Sequence, residues 1–249
     1  MANEARRTLT QMMASVRSAL DEQTASFWSS DPDLYTVFTR AAHAVATEVR
    51  RIREDYFVRS LASTDASYVF GGETYAPSSL AIVAGTAEYT LPPDLLELKL
   101  IEGITTNYTG TVFEYRDITD PAHRASRAAT TNQSPNGGFY FDILGERTLT
   151  IAPKSDTAFD VRITYISSAI IRSSADVYQM DFLATTDQLV MPFPGYMAVE
   201  EVATMRAMLK DSNVMAAAWA KMAENSVQRL FSAGARQSQD TTVVQSMFE

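Results

Sequence analysis

The stretch Glu88-Tyr89-Thr90-Leu91-Pro92-Pro93-Asp94-Leu95-Leu96-Glu97-Leu98-Lys99-Leu100-Ile101 marks the point at which the chain changes its period. Upstream, apolar residues recur at helical spacing. Downstream they alternate as in strands until about Ile166, where helical spacing returns. Within the stretch, Pro92-Pro93 forces an extended or turning backbone after Tyr89 and Leu91. Leu98 and Leu100 then alternate with Lys99 as a strand begins. The chain is therefore expected to be helical at both ends and β in the middle.

On the N-terminal side, Ala62 to Gly85 is rich in Ser, Thr, Ala and Gly and is broken by Gly71-Gly72 and Pro77, which predicts a linker or short strands. Before it, Leu34, Val37, Phe38, Ala41, Val45, Val49 and Ile52 share one helical face. Asp31-Pro32-Asp33 supplies the start of this helix, which is expected to run on to about Leu61. Arg50, Arg51, Arg53 and Arg59 make its far end basic, either as solvated cations near a helix C-terminus or as a contact for an acidic partner or passing DNA. A first helix, from about Glu4 to Leu20, carries Leu9, Met12, Met13, Val16 and Leu20.

On the C-terminal side, Thr105 to Asn136 is irregular, and its portion from Ala122 reads as a long exposed loop. Phe139, Phe141 and Ile143 then alternate with polar residues, as do Leu149 and Ile151, and finally Phe159, Val161, Ile163 and Tyr165. Turns at Gly145-Glu146 and at Pro153 to Asp156 separate them, which predicts three consecutive antiparallel strands. Ser167 to Met191 connects to a third helix bearing Val199, Val202, Met205 and Leu209, and to a fourth bearing Met215, Trp219, Met222 and Leu230. The expected fold class is α+β: residues 1–62 and 192–235 form a four-helix bundle, an antiparallel β domain over residues 63–191 is inserted between its halves, and residues 236–249 are a tail.

The 249 residues are 46% hydrophobic and 20% charged, which supports a packed core. A formal net charge of −9 disfavours a protein that grips nucleic acid over a broad surface, because phosphate binding needs clustered Lys and Arg. Absence of Cys removes disulfides, thiolate metal sites and a cysteine nucleophile. The opening residues lack the apolar run of a secretory signal and no segment approaches a membrane span, so a soluble protein assembled in the cytoplasm is expected.

The residues that carry chemistry are few. His43 and His123 are isolated, and no zinc-binding, nucleophile-elbow or phosphate-loop motif is present. Asp94, Glu97 and Lys99 superficially match a magnesium-dependent nuclease motif, but three residues of separation leave no room for the hairpin such a site requires. Glu97 and Lys99 fit better on the wet side of a strand. Asp176, Asp181 and Asp187 lack the close spacing of a calcium loop. No catalytic residue, metal ligand or cofactor site is assigned. At the C-terminus, Val243, Val244, Met247 and Phe248 follow a polar spacer and have the composition of a docking peptide whose anchors fill a partner's groove.

The order of these parts is familiar. A short helix and a long helix opened by Asp31-Pro32-Asp33 precede Tyr89 to Leu98; an aromatic hairpin then ends in Leu149 to Pro153, and Met191 to Tyr196 opens a further helix. In this order and separation the chain resembles the head-to-tail adaptor (connector) proteins of tailed bacteriophages, especially the tail tubular protein A-like family of short-tailed phages. The sections at 62–85 and 105–136 are longer than in compact members. The resemblance implies a non-enzymatic virion protein at the head-tail junction, assembled as a ring, usually a dodecamer, under the portal. It implies as partners the portal protein, a downstream tail nozzle or tail tube protein and tail fibres, with genomic DNA passing through the channel without sequence-specific binding and with no membrane. Val243, Val244, Met247 and Phe248 then become expected portal-docking anchors. A tail-completion or neck ring further from the portal is the alternative of the same kind.

Overall fold

The structure is a computed structural model that describes residues 7–20, 31–117, 138–175, 177–191, 195–210, 215 and 217–229. It divides into two units, one formed by the chain as far as Phe57 together with the chain from Ala169 onward, the other by Val58–Ser168. Helices at both ends and antiparallel strands between them are as expected. The boundary differs: residues 169–191, grouped by sequence with the β domain, belong to the helical unit.

In the helical unit, α1 (Leu9–Ala19) starts four to five residues later than its apolar spacing allows, because Thr8 caps it. The Thr8 hydroxyl accepts the Gln11 amide hydrogen while the Gln11 side chain accepts that of Thr8, a reciprocal capping box. Leu9, Met12, Met13 and Val16 are buried as their spacing predicts. Helix α2 (Asp31–Ile52) buries Leu34, Phe38, Ala41, Ala42, Val45, Ala46 and Val49. It stops well short of Leu61: a 3-10 turn over Glu54–Phe57 follows, and Val58–Ala62 is a strand. Arg53 turns back to hold Asp55 through two nitrogens, at 2.9 and 2.8 Å, and Arg50 lies over the Phe57 ring, so the basic end of the helix is engaged within its own unit.

Helix α3 (Gly195–Lys210) packs on both α1 and α2. Its buried positions are Ala198, Val199, Val202, Ala203, Thr204, Ala207 and Met208, while Leu209, expected on the inner face, is exposed. Small residues on α2 and α3 let the two helices approach closely, and that close approach fixes which face turns inward. Residues 217–229 form α4, in which Ala223 is buried but Met222, like Met215 just before the helix, is exposed. Strands β10 (Ile171–Arg172), β11 (Tyr178–Gln179) and β12 (Gln188–Leu189) complete this unit as a small sheet in the order β11-β10-β12.

The second unit is built on two sheets and a hairpin. Strands β1 (Val58–Ala62), β5 (Leu95–Gly103) and β9 (Val161–Ser167) pair in the order β1-β9-β5. Strands β4 (Glu88–Thr90), β6 (Glu114–Tyr115), β7 (Tyr140–Leu144) and β8 (Thr148–Ala152) pair in the order β4-β8-β7-β6. Between them, β2 (Tyr68–Phe70) and β3 (Glu73–Tyr75) make a hairpin whose two-residue turn, Gly71-Gly72, has both φ angles positive at 59° and 83°, as a type I′ turn requires.

The opening stretch thus supplies a strand to each sheet, with Pro92-Pro93-Asp94 as the corner. It also explains a difference from the sequence reading. Strands β7 and β8 pair as expected, but β9 leaves them for the other sheet, because the free edge of β8 is taken by β4. The alternation expected in β5 is interrupted as well. Register shifts at Leu96 and Lys99 insert an extra residue twice, so Leu95, Leu98 and Ile101 face the core and Leu96 is exposed. The core of this unit is aromatic: Tyr108 stacks on Phe159 with centroids 4.0 Å apart, and Phe113 on Phe139 at 5.0 Å. The long loop expected from Ala122 to Asn136 lies outside the described residues.

Strand β5 ends where the chain folds back over it. A Cβ at Gly103 would stand 2.5 Å from the Tyr108 carbonyl oxygen, a distance that real contacts do not tolerate. Gly103→Ala is therefore expected to lower the unfolding free energy by about 1–3 kcal/mol, the usual cost of overpacking, as measured by urea titration.

Candidate functional site

Asp94 is the first residue to test, since the nuclease motif would use it. Its position after Pro92-Pro93 turns the carboxylate inward, and the side chain is fully buried. Four side chains converge on it. Arg59 Nη1 from β1 lies 2.5 Å from Oδ2, the Tyr68 hydroxyl from β2 donates to Oδ1 at 2.6 Å, and from β9 the Ser167 hydroxyl donates to Oδ2 at 2.6 Å and Tyr165 to both oxygens at 3.1 Å. The Asp94 carbonyl accepts the Ser168 amide hydrogen at 2.7 Å.

The electrostatics agree with this donor set. Burial pushes the phenols of Tyr68 and Tyr165 well above the ordinary tyrosine range, and the nearby Asp94 charge adds to it, so both remain donors. Burial pulls Arg59 down, but Tyr165 and Asp94 more than offset this and hold it above its usual value. The Arg59 guanidinium also lies 5.1 Å from the Tyr68 ring centroid and 5.9 Å from that of Tyr165. The carboxylate's lone pairs are filled from inside the fold, which makes Asp94 a fastener and leaves it no face toward a substrate.

Glu97 and Lys99 stand apart from it. They pair with each other at 2.7 Å with Glu97 largely exposed, on the wet side of the strand as their alternation implies. Among the described residues no group of three or more His, Asp or Glu side chains is placed to hold a metal ion. Asp187 is buried and accepts from the Gln179 side chain and from the Leu183 and Ala184 amides, whereas Asp181 lines a cleft and Asp176 is outside the described residues. His43 lines that same cleft, about 440 Å³, with Tyr35, Thr36, Thr39, Arg40, Asp181 and Phe182. His123 and the expected anchors Val243, Val244, Met247 and Phe248 lie outside the described residues.

Sequence reasoning singled out Asp94 but missed Arg59, Tyr68, Tyr165 and Ser167 as its partners. The available signal was an acidic residue placed straight after two prolines in an apolar run, together with tyrosines in strands otherwise facing a core. It named Asp187 among the acidic residues of a connection but not its buried position, which depends on a loop conformation that composition does not encode.

The buried carboxylates Asp94 and Asp187 are enclosed by groups of the fold and pin a corner and a loop. The model of the SU10 adaptor protein family matches residues 7–246, and the chain belongs to that family. No curated protein matches it. Membership makes it a bacteriophage adaptor and implies contacts with portal and tail proteins, self-association and a place at the head-tail junction of the virion. Among the described residues no helix is long and apolar enough to cross a membrane.

Asp94→Ala would strand the Arg59 cation in a largely buried site. Unfolding in urea is expected to show a loss of about 3–5 kcal/mol, the usual cost of breaking a buried pair from one side. Glu97→Gln, on the wet face, is expected to change stability by under about 0.5 kcal/mol in the same measurement.

Proposed function

We propose that copies of this chain form a closed ring under the portal that joins the capsid vertex to the tail and lines the channel through which DNA passes. The observation that carries this reading is the family match, which runs through both ends of the chain and so through both units. A dodecamer matches the ring size implied by the tail tubular protein A-like resemblance. The net charge of −9 favours such a wall, since a surface that does not collect phosphates lets DNA slide. No reaction is assigned to the chain, in keeping with a carboxylate at position 94 that is enclosed by its own fold.

In this reading the helices from the two ends make a four-helix bundle, with α4 completing it, and the inserted β domain faces the next tail component, a nozzle or tail tube protein. The segment from residue 236 onward is the docking tail, with Val243, Val244, Met247 and Phe248 as its anchors in portal grooves. Its polar spacer allows it to order only on assembly.

Deletion of the chain from Gln237 onward is expected to leave circular dichroism and the thermal midpoint unchanged while abolishing attachment to DNA-filled heads. Undiminished attachment overturns the docking role. Negative-stain images of portal complexes with and without the chain test the ring itself, and cross-linking in virions identifies a portal neighbour or, for a neck ring, its absence.

A further inference from the structure

Alternation assigns each residue of the sheet β4-β8-β7-β6 to one of two faces. Tyr89, Leu149, Ile151 and Phe141 belong to the aromatic core, and Ile143 packs against it. Thr150 and Ala152 of β8, Asp142 of β7 and Glu88 of β4 therefore face the other way, with Thr150 between Asp142 on one neighbouring strand and Glu88 on the other. An outer face of this kind is ordinarily wet. Here its centre is dry: Thr150 is 0%, Ala152 3% and Asp142 6% exposed, within a single copy of the chain. The described neighbours in this unit do not account for that, because β6 lies beside β7 in the plane of the sheet and the 3-10 turn Pro77–Leu80 packs on β4 with Leu80 in the core.

The dry layer is polar. The Thr150 hydroxyl is buried with no hydrogen-bond partner among the described residues. Asp142 Oδ1 accepts the Ile143 amide hydrogen at 2.8 Å, and a carboxylate so far from water requires a cation in the same layer. Of the other charges on this side, Arg116 and Glu114 pair with each other at 3.3 Å, with the guanidinium over the Tyr140 ring, so Glu88 and Asp142 leave the face negative.

Residues 118–137 join β6 to β7, so this segment both leaves from and returns to one edge of that same sheet. Crossing from β6 to β4 and back covers about 30 Å at the usual strand spacing, well within the reach of about 66 Å that such a length of chain has when extended. Its composition suits a thin layer over a sheet: Ala122, Ala125, Ala128 and Ala129 are small, and Arg124 and Arg127 outnumber Asp120. We infer that residues 118–137 lie across the outer face of the β4-β8-β7-β6 sheet of their own chain, with Arg124 and Arg127 as the cations that face Asp142 and Glu88. That side of the β unit then meets its neighbours through residues 118–137 and not through the sheet. The packing is internal to one copy and independent of any ring.

Because the chain has no Cys, Thr150→Cys places a single thiol at the centre of the face. In the full chain this thiol is expected to react with a water-soluble disulfide reagent at least about tenfold more slowly than after residues 119–136 are replaced by a Gly-Ser segment of equal length, with circular dichroism unchanged. Arg124→Ala and Arg127→Ala together, with the segment otherwise intact, are expected to raise the rate several-fold, and to have no such effect in an Asp142→Asn background. Fast reaction in the intact chain, or equal slowness once the segment is replaced, overturns the proposal. Protection that weakens on dilution means that a second copy supplies the segment, which overturns its placement within one chain. If the replaced chain does not fold, the arginine pair decides, and an unchanged rate there overturns the proposal.

Discussion

The β unit depends on one buried carboxylate. Asp94 sits at the corner where a continuous stretch leaves one sheet and enters the other, and its oxygens are held by groups from β1, β2 and β9. Burying an ionised carboxyl costs several kcal/mol unless its lone pairs are filled and its charge is countered. Here both conditions are met, by three hydroxyls and one guanidinium. Such a cluster has only one arrangement in which every group is satisfied, so it fixes the relation between hairpin, corner and sheet more sharply than apolar packing alone.

Polar fastenings recur around this corner, at an exposed carboxylate, and in the helical unit, at a buried one. Arg147 donates to the Leu91 carbonyl at 3.1 Å and holds Glu73 through two nitrogens, which lowers the Glu73 carboxyl below its usual range through the hydrogen bonds from the guanidinium. The Tyr75 hydroxyl, pushed up to about 12 by burial, donates to the Thr90 carbonyl. Asp187 does for a loop what Asp94 does for a corner. In each case a polar group serves position.

That economy suits an adaptor. An adaptor must present fixed surfaces to its partners, and stiffness in the free subunit lowers the ordering cost of each contact. The aromatic core of the β unit and the alanine-lined contact of α2 with α3 provide the stiff bodies.

By itself the sequence determined the class and order of elements. Apolar periods near 3.6 and 2 record which residues leave water, a local property, so α1, α2 and the strand that buries Val161, Ile163 and Tyr165 were legible, as was the exposed Glu97–Lys99 pair. Only tertiary structure decided that β9 deserts the hairpin beside it, that two extra residues in β5 bring Ile101 inward in place of Leu100, and that residues 169–191 join the helices. It likewise decided that Asp94 is a fastener. Strand partnership and the satisfaction of a buried charge depend on groups brought together from 26 to 73 residues away, and no local pattern records them.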